Sequence, residues 1–419
     1  MTKQVKLSDF DVSETTGFVA TKPPLRKLPG EYFSSWEDTC TKIPALIENK
    51  ELRAKIDALP ERQFNKETLE SEEEWKRAYV LLTFLSQSYI WAEGEAGVID
   101  TLPKKLAVPW YAVSEHLAMK PVATYASVIL YNYSLRDPKG GMTADNLVAV
   151  STFTGTKDES WFYMVHVLVE LAAVSGLKAI EGAFEAMKMQ KNEKLKNELQ
   201  KIEKAIDNMR KTLQNMYNKC DAEVYYCKVR HFLSGAQGNP AFPNGVIYEG
   251  VDNKPHFYNG GSAAQSSSIP SFDALLGAKH PGPEKDPTFM RKMREYQPRK
   301  HRDFLVAIDT QPSLREYIKK SQNSELIKKY NSALESLIKF RRSHMRLIDI
   351  YIIEQSRKCR ATEATGTHGT SVDPGKDETA VGIPVKALAF TGAGGTPVET
   401  FLKQVKDSTE SIKIPLPVF

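Results

Sequence analysis

The 419-residue sequence predicts an all-α protein: a small N-terminal helical domain on a larger C-terminal helical bundle. Three observations lead there. Leu195, Leu199, Ile202, Ile206, Met209, Leu213 and Met216 recur at alternating spacings of four and three, the seam of one long amphipathic helix. Residues 161–177 are apolar on nearly every face, as in a helix buried on all sides. The period-two alternation of a half-buried strand is almost absent.

Taken in order, the first 60 or so residues are turn-rich, punctuated by Pro23, Pro24, Pro29, Pro44 and Pro60. A helix is expected from about Glu67 to Ala92, acidic at its start and apolar from Ala78, which suits a helix N-terminus. After a break at Pro103 and Pro109 more helix is expected, including PVATYASVILYNYSL. RDPKGG at 136–141 reads as an exposed turn and domain boundary, dividing the chain into residues 1–145 and 146–419. The heptad seam is read as one side of an internal helix pair rather than a dimer coiled coil. Residues 234–290 read as loop, containing SGAQGNP, YEGVDNKP and GGSAAQSSS. A last long helix is expected over 323–355. The Gly-, Thr- and Ala-rich stretch 360–396 is expected to be mobile.

Composition narrows the function. An apolar fraction of 41% and a charged fraction of 26% describe a globular protein. The net charge of +5 is mild and dispersed, so no nucleic acid and no membrane are expected as partners. Cys40, Cys220, Cys227 and Cys359 are far apart and form no CxxC pair, which suggests neither a zinc site nor a disulfide scaffold. The N-terminus lacks an apolar signal core, and the longest apolar run, Trp161–Val169, is stopped by Glu170 before it reaches membrane-spanning length. A reducing, cytoplasmic location and a monomer are therefore expected. GxGxxG, Walker, GxSxG and HExxH motifs are absent, against the commonest nucleotide, hydrolase and zinc-protease readings.

Four features carry candidate chemistry. His344, in LIKFRRSHMRLIDIYII, shares the apolar face of its helix with Leu337, Phe340, Ile348 and Tyr351. It reads either as a core histidine or as an axial ligand to haem iron. Arg341 and Arg342, one turn earlier, suit haem propionates or a solvated face. His166, inside WFYMVHVLVEL, is structural, a second haem ligand, or a polar group in an apolar pocket; spacing does not decide. Arg230, one turn after Tyr226 and close to Tyr225, can hold a carboxylate bidentately or form a surface cation–π pair. The loop GGSAAQSSS offers backbone N–H groups and hydroxyls to a ligand, or is a plain linker.

With these residues in view, the chain resembles the indoleamine 2,3-dioxygenases, in particular fungal members. VSETTGF, PPLRKLP, YASVILYNYSLRDP, HVLVELAAVSGLKAI, VRHFLSGAQGNP, GVIYEG, GGSAAQSS, FDALLG, MREYQPRKHRDFL and FRRSHMRLIDIYI follow in family order over nearly the whole chain. The resemblance implies a helical protein that binds haem b in its large domain. Its activity would be cleavage of the indole C2–C3 bond of L-tryptophan with O2 to N-formylkynurenine, towards NAD, with a reductant keeping iron ferrous. It implies no obligatory acid or base residue. It places His344 as proximal ligand, with Arg341 and Gly261 beside the haem. Arg230 would bind the substrate carboxylate, and Tyr125, Val128, Ile129, Phe162, His166, Tyr225, Ser262 and Ala263 would line the substrate pocket. The family also contains myoglobin-like oxygen carriers, so a catalytically weak paralogue or oxygen-binding protein is the alternative.

Three departures bear on the site. His166 stands where mammalian members have Ser, and in the related tryptophan 2,3-dioxygenases a His serves there, bonded to the indole N–H; a narrower preference for unsubstituted L-tryptophan follows. Tyr225 stands where Phe is frequent, adding a hydroxyl that requires a partner. The family's mobile GTGGT loop has two counterparts, Gly392-Ala393-Gly394-Gly395-Thr396, preferred because it precedes FLKQV, and Gly366-Thr367-His368-Gly369-Thr370.

Overall fold

The computed structural model describes residues 5–60, 64, 67, 69–252, 254–280, 289–365 and 398–417. It is 62% helix and 4% strand, in keeping with the all-α expectation. Three short helices open the chain: α1 (Ser34–Thr41), α2 (Ile43–Glu48) and α3 (Leu52–Asp57). Pro44 sits in the first turn of α2, where a missing N–H costs nothing. The first long helix, α4 (Glu72–Trp91), starts later than the sequence pattern implied. Ser71 caps it by accepting from the Glu74 N–H at 3.3 Å, and Glu72, Glu73 and Glu74 fill its first turn. From α4, Arg77 donates to Glu37 of α1 at 2.6 Å and to Ser151 at 3.2 Å, all three buried, which locks α1 onto α4. After β1 (Thr101–Leu102) comes α5 (Lys104–His116), which runs through Pro109 instead of breaking there.

PVATYASVILYNYSL departs from expectation. Only Ala126–Leu130 is helical, as a wide π turn, before the chain enters β2 (Tyr133–Leu135), paired antiparallel with β3 (Leu147–Ala149). Asn132 drives the change, because its side chain bonds both the N–H and the C=O of Ser151, at 2.8 and 2.9 Å. RDPKGG is thus the exposed turn of a hairpin, and the chain pairs with itself across residues 145 and 146.

Next, α6 (Lys157–Ala172) and α7 (Val174–Lys188) are separated by Ala173 alone. Together they span 32 residues, long and apolar enough by length and composition to cross a membrane, contrary to the reading that ended the run at Glu170. Of the most apolar window, 61% is buried inside the protein, the mark of a core helix. The heptad seam is internal as read, but its helix ends at Leu213 and Met216 opens the next short helix. α8 (Asn192–Leu213) buries Leu195, Leu199, Ile202, Ile206, Met209 and Leu213 against α7 and a later long helix of the same chain.

Two short turns, α9 (Met216–Lys219) and α10 (Ala222–Val224), lead into a second π turn, Tyr225–Val229, and a tight turn, Arg230–Leu233. β4 (Val246–Tyr248) lies between β1 and β5 (Pro255–His256), parallel to the first and antiparallel to the second. The region 234–290, read as loop, contains α11 (Ser268–Leu276); Pro270 falls in its first turn, and Gly277 ends it at φ +79°. Then come α12 (Phe289–Arg294), α13 (Arg299–Asp309) and α14 (Leu314–Ser321). The partner of α8 is α15 (Ser324–Ile348), capped by Asn323, whose side chain accepts from the Leu326 N–H at 3.1 Å. It passes through a third π turn, Asp349–Ile353, into α16 (Glu354–Thr365), so helix continues into the stretch read as mobile from residue 360. α17 (Val398–Glu410) returns to pack on α15. Both candidate loops, Gly392–Thr396 and Gly366–Thr370, lie outside the described residues.

Candidate functional site

The three π turns meet at one place. Val128 and Ile129 from the first, Tyr225 from the second, and Tyr351 and Ile352 from the third all line a single cavity of about 260 Å3. A π turn widens the helix and re-aims its side chains, and such turns gather at functional sites. Much of the remaining wall comes from α6 (Phe162, His166, Val169, Glu170), α8 (Met209, Leu213), the Gly261–Ala264 loop, α11 and α15, with single contributions from α9 and α17 and two residues of α12.

His344 reaches this cavity with Phe340 and Ile348 of its own helix face, as the spacing implied. The ring makes no hydrogen bond to another described residue. Burial, with a smaller contribution from His166, lowers its pKa to about 4, so the imidazole is neutral and a nitrogen lone pair is free to coordinate. Among the described residues no three His, Cys, Asp or Glu side chains converge. A lone imidazole on an apolar wall is suited to a metal whose other ligands arrive with it, as in a porphyrin, and the residues fit haem in that respect.

His166, Phe162 and Glu170 lie four residues apart along α6 and share its cavity face. The His166 Nδ1 lies 2.8 Å from the Phe162 carbonyl. A carbonyl only accepts, so Nδ1 carries the proton and Nε2 is left as an acceptor. Burial lowers the His166 pKa and keeps the ring neutral. Rings of Phe162 and Tyr225 lie 4.6 Å apart, Phe162 and His166 4.6 Å, and Tyr125 and His166 6.1 Å, so four of the expected pocket residues form one aromatic wall. The Tyr225 hydroxyl, expected to require a partner, makes no hydrogen bond to a described residue.

Glu170 had been read only as a break in an apolar run. It is buried and accepts from Tyr125 Oη at 2.8 Å, Ser266 Oγ at 2.6 Å and Ser268 Oγ at 2.5 Å. Burial raises its pKa, against the three hydroxyls. This node ties the first π turn, α6 and the start of α11 together beside the cavity. Its periodicity with His166 was a usable signal. Gln265 joins the same tie, accepting from the Tyr125 N–H at 2.8 Å and donating to Gly260 O at 2.9 Å.

The Gly261–Ala264 loop is positioned by main chain. Gly261 N–H donates to Leu233 O at 2.8 Å, and Ser262 Oγ accepts from the Ala264 N–H at 3.2 Å. The glycine that close approach demands is Gly235, where a Cβ would lie 2.2 Å from Tyr258 O. At Gly261 a Cβ would meet nothing closer than 3.6 Å.

Arg341 lines the cavity and is held by three partners: it donates to Asp273 at 2.6 Å, contacts His280 Nε2 at 3.1 Å and bonds Thr409 of α17. Burial would raise the Asp273 pKa, but Arg341 and His280 outweigh it and hold the carboxyl below its usual range. This Asp is the one in FDALLG, and its partner Arg341 comes from a distant segment. Arg342 belongs to the solvated face, exposed and 3.9 Å from Glu335. Arg230 is 1% exposed and its guanidinium lies 5.3 Å from the centre of the Tyr226 ring. Its neighbours Tyr225 and Leu233 line the cavity; Arg230 does not.

Comparison with known proteins decides the family. The family model described as indoleamine 2,3-dioxygenase matches residues 6–412. The chain is 35% identical to human indoleamine 2,3-dioxygenase 2 over 98% of its own length and 96% of that protein. Mouse indoleamine 2,3-dioxygenase 1 is 33% identical, with 98% and 96% covered, and the indoleamine 2,3-dioxygenase of Saccharomyces cerevisiae 31%, with 96% and 92% covered. The chain belongs to the indoleamine 2,3-dioxygenase family. It is thereby an oxidoreductase of the dioxygenase type. Within this family frame, the residues expected around the substrate line one cavity with His344, whereas Arg230 lies against Tyr226 and does not line it.

Proposed function

We propose that this dioxygenase cleaves the indole C2–C3 bond of L-tryptophan with O2, giving N-formylkynurenine, with haem b held by His344. The observation that carries the reading is the His344 imidazole, without a hydrogen bond to another described residue, facing an aromatic, largely apolar cavity within a chain of this family. Bound there, haem would supply the activation of O2 and the oxidative chemistry. The chain's own residues supply recognition. Phe162, Tyr225 and Tyr125 bound a slot for a flat indole, with Val128 and Ile129 closing it. The Nε2 of His166 accepts the indole N–H, since Nδ1 is occupied by Phe162 O. Holding the ring in one pose removes much of the entropic barrier, and the apolar wall excludes water.

Arg230 takes the substrate carboxylate in this reading, turning from Tyr226 towards the cavity that its neighbours Tyr225 and Leu233 line. Its support is the family position and its burial next to a cavity wall, where a charged hydrogen bond is strong. Asp273 and His280 hold Arg341 at the rim, where its guanidinium and the Gly261–Ala264 loop would meet the propionates and the amino group. Residues 1–145 act as the small domain over the cavity and residues 146–419 as the large domain carrying His344. An external reductant keeps the iron ferrous, and a cytoplasmic monomer fits the composition. The test is a hemin titration of the purified chain followed by turnover of L-tryptophan under reducing conditions. A sharp one-to-one Soret transition, lost in His344→Ala, together with product, supports the proposal. Stoichiometric binding unchanged in His344→Ala removes the axial assignment, and an oxygenated spectrum without product points to an oxygen-binding protein.

A further inference from the structure

The sequence left four scattered thiols and no disulfide, yet the fold brings two together. Cys227 in the second π turn and Cys359 in α16 are separated by 132 residues, and their sulfurs lie 3.8 Å apart. Both are half-buried, whereas Cys40 and Cys220 are buried, with their thiols directed at Ser151 Oγ and Asp221 O. A disulfide needs about 2.05 Å between sulfurs. Closing the remaining gap asks for a shift of under about 2 Å, within the reach of side-chain rotation and small helix adjustment.

We propose that Cys227 and Cys359 form a redox-active dithiol, oxidised by a low-molecular-weight disulfide such as glutathione disulfide, whose cross-link staples two walls of the cavity. The position gives the bond consequence. Cys227 lies two residues after Tyr225, and Cys359 follows on the helix that continues from Tyr351 and Ile352, all three of them cavity residues. The rings of Tyr225 and Tyr351 already meet at 6.0 Å. A covalent bond there fixes the spacing of the second and third π turns.

The order of steps follows from the local electrostatics. Burial first, and then the neighbouring Cys359, push the Cys227 pKa up to about 12, so Cys227 is a poor first nucleophile. Cys359 as thiolate attacks glutathione disulfide, whose S–S bond breaks and releases one glutathione thiolate. Cys359 then carries a mixed disulfide, which removes its own opposition to the ionisation of Cys227, while burial and Glu223 continue to oppose it. Cys227 gives its proton to solvent and attacks the Cys359 sulfur, expelling the second glutathione. Two thiols lose two electrons and two protons, and one glutathione disulfide becomes two glutathiones.

The experiment equilibrates the reduced full-length chain in graded glutathione buffers, traps free thiols by alkylation and maps peptides without reduction. Expected is a Cys227–Cys359 linked peptide that rises with oxidant while Cys40 and Cys220 stay alkylated. In Cys227→Ser, Cys359 should keep glutathione as a stable mixed disulfide. In Cys359→Ser, Cys227 should remain free. Alkylation of all four cysteines at every ratio, or a mixed disulfide on Cys359 of the unsubstituted chain that never resolves, overturns the dithiol. For the staple, hemin transfer from the loaded protein to excess apomyoglobin should slow several-fold on oxidation, with no change in Cys359→Ser. An unchanged transfer rate in a fully cross-linked sample removes the staple. The peptide map is independent of the proposed haem reading, so failure of that reading leaves the dithiol test intact.

Discussion

Replacing His166 by Ser tests the recognition of the indole N–H. With Nδ1 committed to Phe162 O, Nε2 is the only polar acceptor the ring offers to the cavity, and burial keeps it neutral. A neutral hydrogen bond contributes about 0.5–1.5 kcal/mol, so kcat/KM for L-tryptophan should fall roughly 2- to 13-fold in His166→Ser. N-methylation does more in the unsubstituted enzyme, because it leaves Nε2 desolvated without a donor, at about 1–3 kcal/mol. The enzyme should therefore favour L-tryptophan over 1-methyl-L-tryptophan by roughly 5- to 150-fold in kcat/KM. His166→Ser should narrow that ratio, through loss of the acceptor and through the space gained by the smaller side chain. The assay is initial-rate product formation for both substrates with both proteins at equal haem loading. Equal turnover of the two substrates by the unsubstituted enzyme, or a ratio unchanged by the substitution, refutes the argument.

Three further outcomes are expected. Arg230→Ala should lower kcat/KM for L-tryptophan about 10- to 100-fold, chiefly through KM, by loss of charge-assisted bonds worth about 1.5–3 kcal/mol, with an unchanged haem spectrum; normal turnover at low substrate contradicts the carboxylate role. Asp273→Ala leaves the buried Arg341 without its 2.6 Å carboxylate, and urea denaturation should show a loss of about 3–5 kcal/mol; a loss under about 0.5 kcal/mol means that the arginine finds another partner. His301 packs on Phe18 with ring centres 4.6 Å apart, and burial lowers its pKa to about 3. A depressed folded-state pKa means its contribution is fully present above about pH 6.5 and is lost as pH falls towards 3, by up to about 5 kcal/mol. His301→Phe should flatten the stability curve over that range, and an identical acid limb in the two proteins counts against it.

Which parts of this fold could be read in the sequence depends on where the deciding contacts lie. The seam of α8 was legible because six of its positions are buried in register along one helix. So were the helix face shared by Phe340, His344 and Ile348 and the aromatic wall around Phe162, since helical spacing alone sets them. PVATYASVILYNYSL was misread because Asn132 is satisfied by Ser151, nineteen residues on, and that pairing overrides local helical propensity. The long α6–α7 run was cut short at Glu170 because a carboxylate in an apolar segment reads as a break. Its partners Tyr125, Ser266 and Ser268 come from distant segments that no local pattern reveals. The same holds for Asp273 with Arg341, and for Cys227 with Cys359. A π turn has no composition signature of its own, so the three that meet at the cavity became visible only in the folded chain.

The most direct test of the central reading is to load the purified protein with hemin, reduce it, and supply L-tryptophan under 18O2. The expected result is N-formylkynurenine carrying two 18O atoms, with no product from His344→Ala. A product with a single label contradicts dioxygenation, and a stable oxygenated spectrum with no product contradicts the enzymatic reading altogether.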